Sequence, residues 1–257
     1  RLLDEVHAAY PGTFFEGCSS GAMRGDLAML THVDGHFLSD TVHPVDVLRI
    51  AQGAWLRLPP GRLGHWTVVR SAGKAAPQYG KTAADSPATV LTPCGALWEP
   101  AESVDLTFAL LAAMPGMFGV SGDLAGLSTD ARARLREGIA FYKRWRRLIT
   151  GAVAHLLTPP EPLTTREGWV GVQLQGVVDD TSLVFLYRLG MAGARPPMRL
   201  WGLEPAEQYL VRSGLDEAGP RFHLDGRTLM TEGLPPLDVT GGSTVLVVQS
   251  RTRAREA

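Results

Sequence analysis

The chain has 257 residues, 45% of them hydrophobic and 20% charged, and its formal net charge is -1. That is ordinary globular composition, long enough for one large domain or two modest ones. The near-zero charge offers no footprint for nucleic acid or an anionic membrane surface. No apolar run approaches the roughly 20 residues that span a bilayer.

The two cysteines, Cys18 and Cys94, stand in no CxxC or Cys/His cluster. Neither a disulfide framework nor a structural zinc site is expected, and no cofactor is implied. No basic and apolar signal peptide opens the chain. It starts at Arg1 inside an amphipathic pattern, which reads as a piece of a longer protein.

In chain order, residues 2–10 place Leu3, Val6 and Tyr10 on one helical face, and Pro11-Gly12 stops that helix. Thr13-Phe14-Phe15 reads as a short strand that runs into the small-residue turn 17–21. A second pattern follows at Leu27 to Leu30. His36-Phe37-Leu38 is another strand candidate, ending at Ser39-Asp40. Pro44 suits the first turn of a helix, along which Leu48, Ala51, Trp55 and Leu58 step by three and four. Trp66 to Val69 reads as a strand, 71–88 as a long loop, and 101–113 as a helix. Met117 to Val120 is a strand candidate. Ser128 can cap a helix whose buried face is Leu135, Ile139, Tyr142 and Ile149. Arg144, Arg146 and Arg147 form the polar face and cationic end of that helix.

Strands and helices therefore alternate to about residue 150, the signature of βα units on a parallel sheet. Half of an eight-stranded barrel fits this order, and so does a doubly wound sheet. After Thr158-Pro159-Pro160 the pattern becomes β-rich, with runs at 169–175, 183–189, 198–201, 208–211 and 244–249. No helix is expected there, and the region reads as a small antiparallel, sandwich-like β domain. The charged tail 251–257 is expected to fray.

Two segments can carry chemistry: Phe15 to Asp26, and Leu38-Ser39-Asp40-Thr41. Both follow predicted strands, the end of a βα barrel that bears the active site. A carboxylate there can act as general acid or base, although Asp after a strand is equally a common helix cap.

The run Glu16-Gly17-Cys18-Ser19-Ser20-Gly21, continuing through Arg24 and Asp26, resembles the Glu-Asn-Cys-(Ala/Ser)-Ser-Gly-Gly-Gly-Arg-Phe-Asp motif of glycoside hydrolase family 36, the bacterial α-galactosidases. Ser39-Asp40-Thr41 resembles that family's Ser-Asp-Asn segment, and the interval of 22 residues, from 18 to 40, agrees. Phe118 to Leu124 and Ile139 to Lys143 are similar to its last barrel strand and helix. The stretch from Trp169 through Leu186-Tyr187-Arg188-Leu189 and Trp201-Gly202-Leu203 is similar to its C-terminal β domain.

The resemblance implies an α/β fold: residues 1–155 as the second half of a (β/α)8 TIM barrel, and 156–257 as a C-terminal antiparallel β-sandwich domain. It implies a retaining hydrolase acting on terminal α-linked galactose in raffinose- or melibiose-type oligosaccharides, with Asp40 as acid/base. Cys18 and Gly21 match pocket positions, Glu16 and Arg24 lie in the same motif, and Arg24 with Asp26 would equally serve as an ion pair bracing the turn. The family's nucleophile lies in a Lys-Trp-Asp strand end that does not occur in this sequence. The isolated chain is therefore expected to be inactive. The family's habits further imply a homo-oligomer in the cytoplasm. Gly17 in place of Asn, Ala22-Met23 in place of Gly-Gly, Gly25 in place of Phe, and Thr41-Val42-His43 after the acid/base are departures. They leave room for a related α-glycosidase, a galactosyl transferase, or a non-catalytic carbohydrate-binding remnant.

Overall fold

A computed structural model describes residues 2–18, 22–41, 43–69, 89–93, 101–178 and 180–251. In chain order the first elements are α1 (Leu2–Ala9), β1 (Glu16–Gly17), β2 (Gly35–Phe37), α2 (Pro44–Trp55) and β3 (Leu63–Val69). Then come β4 (Thr89–Pro93), β5 (Ala101–Asp105), α3 (Leu106–Ala113), β6 (Met117–Gly122) and α4 (Thr129–Gly151). The last are β7 (Val153–Leu156), β8 (Gly168–Gln175), β9 (Thr181–Leu189), β10 (Gln208–Ser213), β11 (Arg221–Asp225), α5 (Gly226–Thr231) and β12 (Ser243–Ser250).

Strands β1, β2, β3 and β6 pair in that order, all parallel. The pairs Gly17↔His36, His36↔Leu63 and Gly64↔Met117 set the register. Alternation along each strand then sorts the side chains onto two faces. Leu38, Leu63, Thr67, Val69, Phe118 and Val120 point toward helices α2, α3 and α4, where Thr67 Oγ1 donates to Ala109 O at 2.9 Å and Phe118 packs on Tyr142. Helices on one face and strands added on one side only are the arrangement of a barrel wall. A doubly wound sheet reverses at a switch point and carries helices on both faces.

Helix α3 is apolar all round, with seven of its eight residues buried, because it lies between two sheets. Its other side meets the antiparallel sheet, ordered β11-β10-β12-β9-β8-β7. Val172, Leu174, Phe185, Tyr187 and Val247 join the same core cluster as Leu48, Leu63 and Leu111. The opposite face of that sheet buries Val184, Leu186, Val211 and Val248 under Met198, Leu200, Leu203 and Leu229.

Several expectations are corrected. Thr13-Phe14-Phe15 is not a strand: the ladder starts at Glu16, and Phe15 is held by a two-way exchange with Asp34, whose carboxylate accepts its N–H at 2.7 Å and whose own N–H donates to Phe15 O at 2.8 Å. Residues 101–105 pair with β4, and the helix begins only at Leu106, where Asp105 accepts the Phe108 N–H at 3.0 Å. The later strands form one six-stranded sheet among the described residues, since loop segments and the short helix α5 cover its second face where a sandwich would place another sheet. Residues 198–201 are not a strand of it: Leu200 and Leu234 bond outside the ladder, to Leu229 O and Met198 O. Ser128 does cap α4, accepting the Ala131 N–H at 3.1 Å. The expected loop 71–88, Gly21, Cys94 and the tail beyond Arg251 lie outside the described residues. Among those described, no helix is long and apolar enough to cross a membrane.

Candidate active site

All four strands point the same way; the ends of β1 and β2 lie level with Leu63 and Gly64, while β3 and β6 run on to Val69 and Gly122. Backbone bonds extend the pairing at both levels. Leu38 N–H donates to Gly64 O at 3.0 Å, and Asp123 N–H to Val69 O at 3.0 Å. Ala22 N–H donates to Leu38 O at 3.0 Å, which brings the loop carrying Cys18 back onto the end of β2. Asp40 follows two residues after Leu38 and is exposed. The two motifs singled out in the sequence therefore meet at one rim.

The sheet face away from the helices forms the floor of this rim. Glu16, Phe37, Trp66 and Met117 lie on it by alternation, and Cys18 continues the side of Glu16. Glycines make the floor shallow enough for side chains to lie across neighbouring strands. A Cβ at Gly119 would come within 2.7 Å of the Trp66 indole, and one at Gly64 within 3.8 Å of Glu16 Oε2. Trp66 is 40% exposed and meets Phe37 edge-on, with ring centroids 6.4 Å apart. Trp66 and Phe37 were not singled out by sequence; the alternation through β2 and β3 was the available signal.

Each predicted residue can now be placed. Asp40, Glu16 and the unpaired thiol Cys18 are exposed at the rim. Gly21 lies outside the described residues. Arg24 is exposed in the turn after Ala22, and no ion pair joins it to Asp26 among the described residues. Asp26 instead accepts the N–H of Met29, the first residue of a 3-10 turn, at 2.8 Å, which corrects the expected brace. The departure at Gly17 also has a local reason: a Cβ there would sit 2.6 Å from Nδ1 of the buried His36. No group of three or more His, Cys, Asp or Glu is placed to hold a metal ion among the described residues. A cleft between α3, α4 and the loop after β10 is lined by Thr107, Leu110, Met114, Asp130 and Arg134, and none of the candidates lines it.

A buried polar network lies directly behind Asp40. Thr41 N–H donates to Ser39 Oγ at 3.2 Å, and Thr41 Oγ1 to Asp46 Oδ2 at 3.5 Å. Asp46 sits in the first turn of α2, where the helix dipole favours an anion, and pairs with Arg166 at 2.5 Å. Arg166 also donates to His43 Nδ1 at 3.4 Å. Because arginine can only donate, that ring nitrogen is the acceptor. One turn further, the buried Arg49 donates to the carbonyls of Thr165 at 3.0 Å and Glu167 at 2.9 Å, the two residues that flank Arg166. It also donates to Gln52 Oε1 at 2.9 Å, and Gln52 Nε2 reaches Pro159 O at 3.1 Å. Burial lowers the pKa of Arg49 from its ordinary value, yet a guanidinium stays charged in proteins.

Comparison with known proteins bears on this rim. Residues 1–83 match the family model described as Melibiase. The chain is 28% identical over 216 residues to Alpha-galactosidase AgaA of Geobacillus stearothermophilus, covering 82% of this chain and 25% of that protein. It is 28% identical over 239 residues to Probable alpha-galactosidase C of Aspergillus flavus, covering 91% of this chain and 27% of that protein. The chain thus spans about a quarter of the length of these curated relatives. The crystal structure of the GH36 α-galactosidase AgaA superposes with a TM-score of 0.73 at 23% identity, covering 97% of this chain and 30% of that one. At that identity the likeness shows the fold: a parallel sheet and an antiparallel sheet arranged as in a (β/α)8-type catalytic domain with a β-rich region.

Proposed function

We propose that the chain belongs with the melibiase-like α-galactosidases of glycoside hydrolase family 36, on its likeness to the Melibiase model over residues 1–83 and to curated α-galactosidases, and that it carries the acid/base side of a retaining α-galactosidase. The substrate class is terminal α-linked galactose on raffinose- or melibiose-type oligosaccharides. A variant of the Geobacillus relative is known in complex with raffinose. The observation that carries the reading is the bond from Ala22 to Leu38, which brings Ala22, shortly after Cys18, onto the end of the strand that leads to Asp40, in a parallel sheet whose helices α2, α3 and α4 pack on the other side.

In this reading Asp40 protonates the leaving glycosidic oxygen, then takes a proton from the water that releases galactose. Its exposure gives it access to both. Cys18 and Gly21 line the galactose pocket, with Glu16 and Arg24 at its margin. The Trp66 and Phe37 rings offer an apolar floor to the carbon face of a sugar. The nucleophile is a second carboxylate, roughly 5–5.5 Å from Asp40 in the usual retaining geometry, and we place it outside this chain, in the remainder of the barrel. Residues 1–155 are then the C-terminal half of the (β/α)8 barrel, and 156–257 the C-terminal β domain.

The test is Asp40→Asn in the full-length protein that contains this chain. Raffinose turnover should fall by roughly 10²–10⁴-fold, the usual contribution of a positioned general acid or base. A galactoside with a good leaving group should still form the galactosyl-enzyme, which accumulates because its hydrolysis lacks a base. Unchanged raffinose turnover would sink the assignment.

A further inference from the structure

We propose that Arg166, which lies 126 positions along the chain from Asp40, is a positioning residue for the acid/base, acting through Asp46 and Thr41; the inference rests on the reading of Asp40 given above. Three observations carry it.

The first is that Arg166 is presented rather than merely nearby. The carbonyls on both sides of it, at Thr165 and Glu167, are held by one buried guanidinium, that of Arg49. A two-point clamp on the flanking backbone fixes where the Arg166 side chain departs. The second is the target. Asp46 is almost fully buried, its side chain 9% exposed, and a buried carboxylate is retained only where it is paired. Arg166, its partner, is itself 52% exposed and carries no comparable burial penalty. The charge of Asp46 thus holds Arg166 in place, while the other carboxylate oxygen is left to accept from Thr41 Oγ1. The third is that the departures from the family motif fall on this network. Thr41 and His43 stand where the resemblance expects other polar residues, and both touch the Asp46–Arg166 pair. Thr41 is bonded to Asp40, so fixing its amide against Ser39 and its hydroxyl against Asp46 restrains the direction in which the Asp40 carboxyl leaves the backbone.

A misplaced general acid costs most where the leaving group needs its proton. Arg166→Ala in the full-length protein should therefore lower kcat/KM on raffinose by roughly 10- to 100-fold, the scale of a misplacement of about 1 Å. On 4-nitrophenyl α-galactoside, whose leaving group departs without a proton, kcat/KM should fall by less than about 3-fold, while kcat and KM fall together because release of galactose still needs the base. Arg166→Lys should recover part of the raffinose loss, since an ammonium meets Asp46 as a point charge without the guanidinium fork. Equal losses of kcat/KM on both substrates would overturn the proposal. Amide hydrogen exchange in the same variant gives a readout that does not depend on turnover. The Thr41 amide should exchange faster in Arg166→Ala, and unchanged exchange there overturns the proposal. A wild-type protein inactive on both galactosides would instead reject the hydrolase reading, with the exchange result still deciding the network.

Discussion

Between pH 7 and pH 4 this fold should lose stability to one imidazole that it cannot charge. His65, on β3, is 2% exposed, and neither ring nitrogen has a hydrogen-bond partner among the described residues. It packs against Trp55, with ring centroids 6.2 Å apart. Burial alone lowers its pKa from 6.5 to about 4. The native state therefore holds His65 neutral while the unfolded chain takes up a proton below pH 6.5. The stabilisation is fully present above that value and is lost as the pH falls toward 4. A gap of about 2.5 in pKa is worth roughly 3 kcal/mol, of which roughly 2.5 kcal/mol is already gone at pH 4.5. That is a large share of a typical total of roughly 5–15 kcal/mol. His65→Leu removes the titrating group and two unpartnered nitrogens, so it should cost little at pH 7. Urea unfolding of both proteins at pH 7, 6, 5 and 4.5 isolates the effect, because the carboxylates titrate alike in each. Parallel stability curves for wild type and variant would refute the reasoning.

Tyr187→Phe removes the hydroxyl that donates to Leu111 O at 2.6 Å, a last-turn carbonyl of α3 with no helical partner of its own; thermal unfolding should report a loss of about 1–3 kcal/mol. Burial also raises the Tyr187 pKa well above 10, so the wild type should lose stability as the pH rises past about 10 while the Phe variant lacks that component. Ser128→Ala removes the cap of α4 and should cost about 1 kcal/mol by the same measurement. Gly122→Ala would force a Cβ to 1.9 Å from Val69 O at a φ of 108°, so the end of the β3–β6 ladder must open, at a cost of at least about 2 kcal/mol and a lower thermal midpoint.

How far these features could be read from sequence depends on whether their cause is local. Helices α2 and α4 were legible because each buries one stripe and shows the others to water, and Ser128 announced its cap by residue type. Helix α3 misled because it is buried on all sides: Leu106-Thr107-Phe108-Ala109-Leu110-Leu111 has no periodicity to mark its start, and the Asp105 cap that ends β5 was absorbed into the helix. β7 and β11 were missed because each mixes charged or imidazole side chains with apolar ones on a half-covered sheet. At the rim, strand position and motif brought out Asp40 and Cys18. The network behind them has no local signature. Arg49 reaches carbonyls 116 and 118 positions away, and backbone acceptors leave no trace in a sequence at all.

That same network bears on what residue 155, the expected end of the barrel half, means physically. The sequence pattern changes just beyond it, after Thr158-Pro159-Pro160, but the packing does not. Leu48 and Leu63 share one hydrophobic cluster with Val172, Phe185 and Val247, and the Tyr187 hydroxyl closes the end of α3 from across the boundary. Arg49 and Gln52 are both buried, and three of their hydrogen bonds end on carbonyls between 159 and 167. Removing everything after 155 would strip those partners from a buried cation and a buried amide, at about 1–3 kcal/mol for each unsatisfied group and more for the charge. It would also expose an all-apolar helix on one side. The helix that starts four residues after Asp40 thus depends on the later segment for its own polar interior. The segment 159–167 is in this sense the back wall of α2, and the polar interior of that helix is set as much by these later carbonyls as by its own sequence.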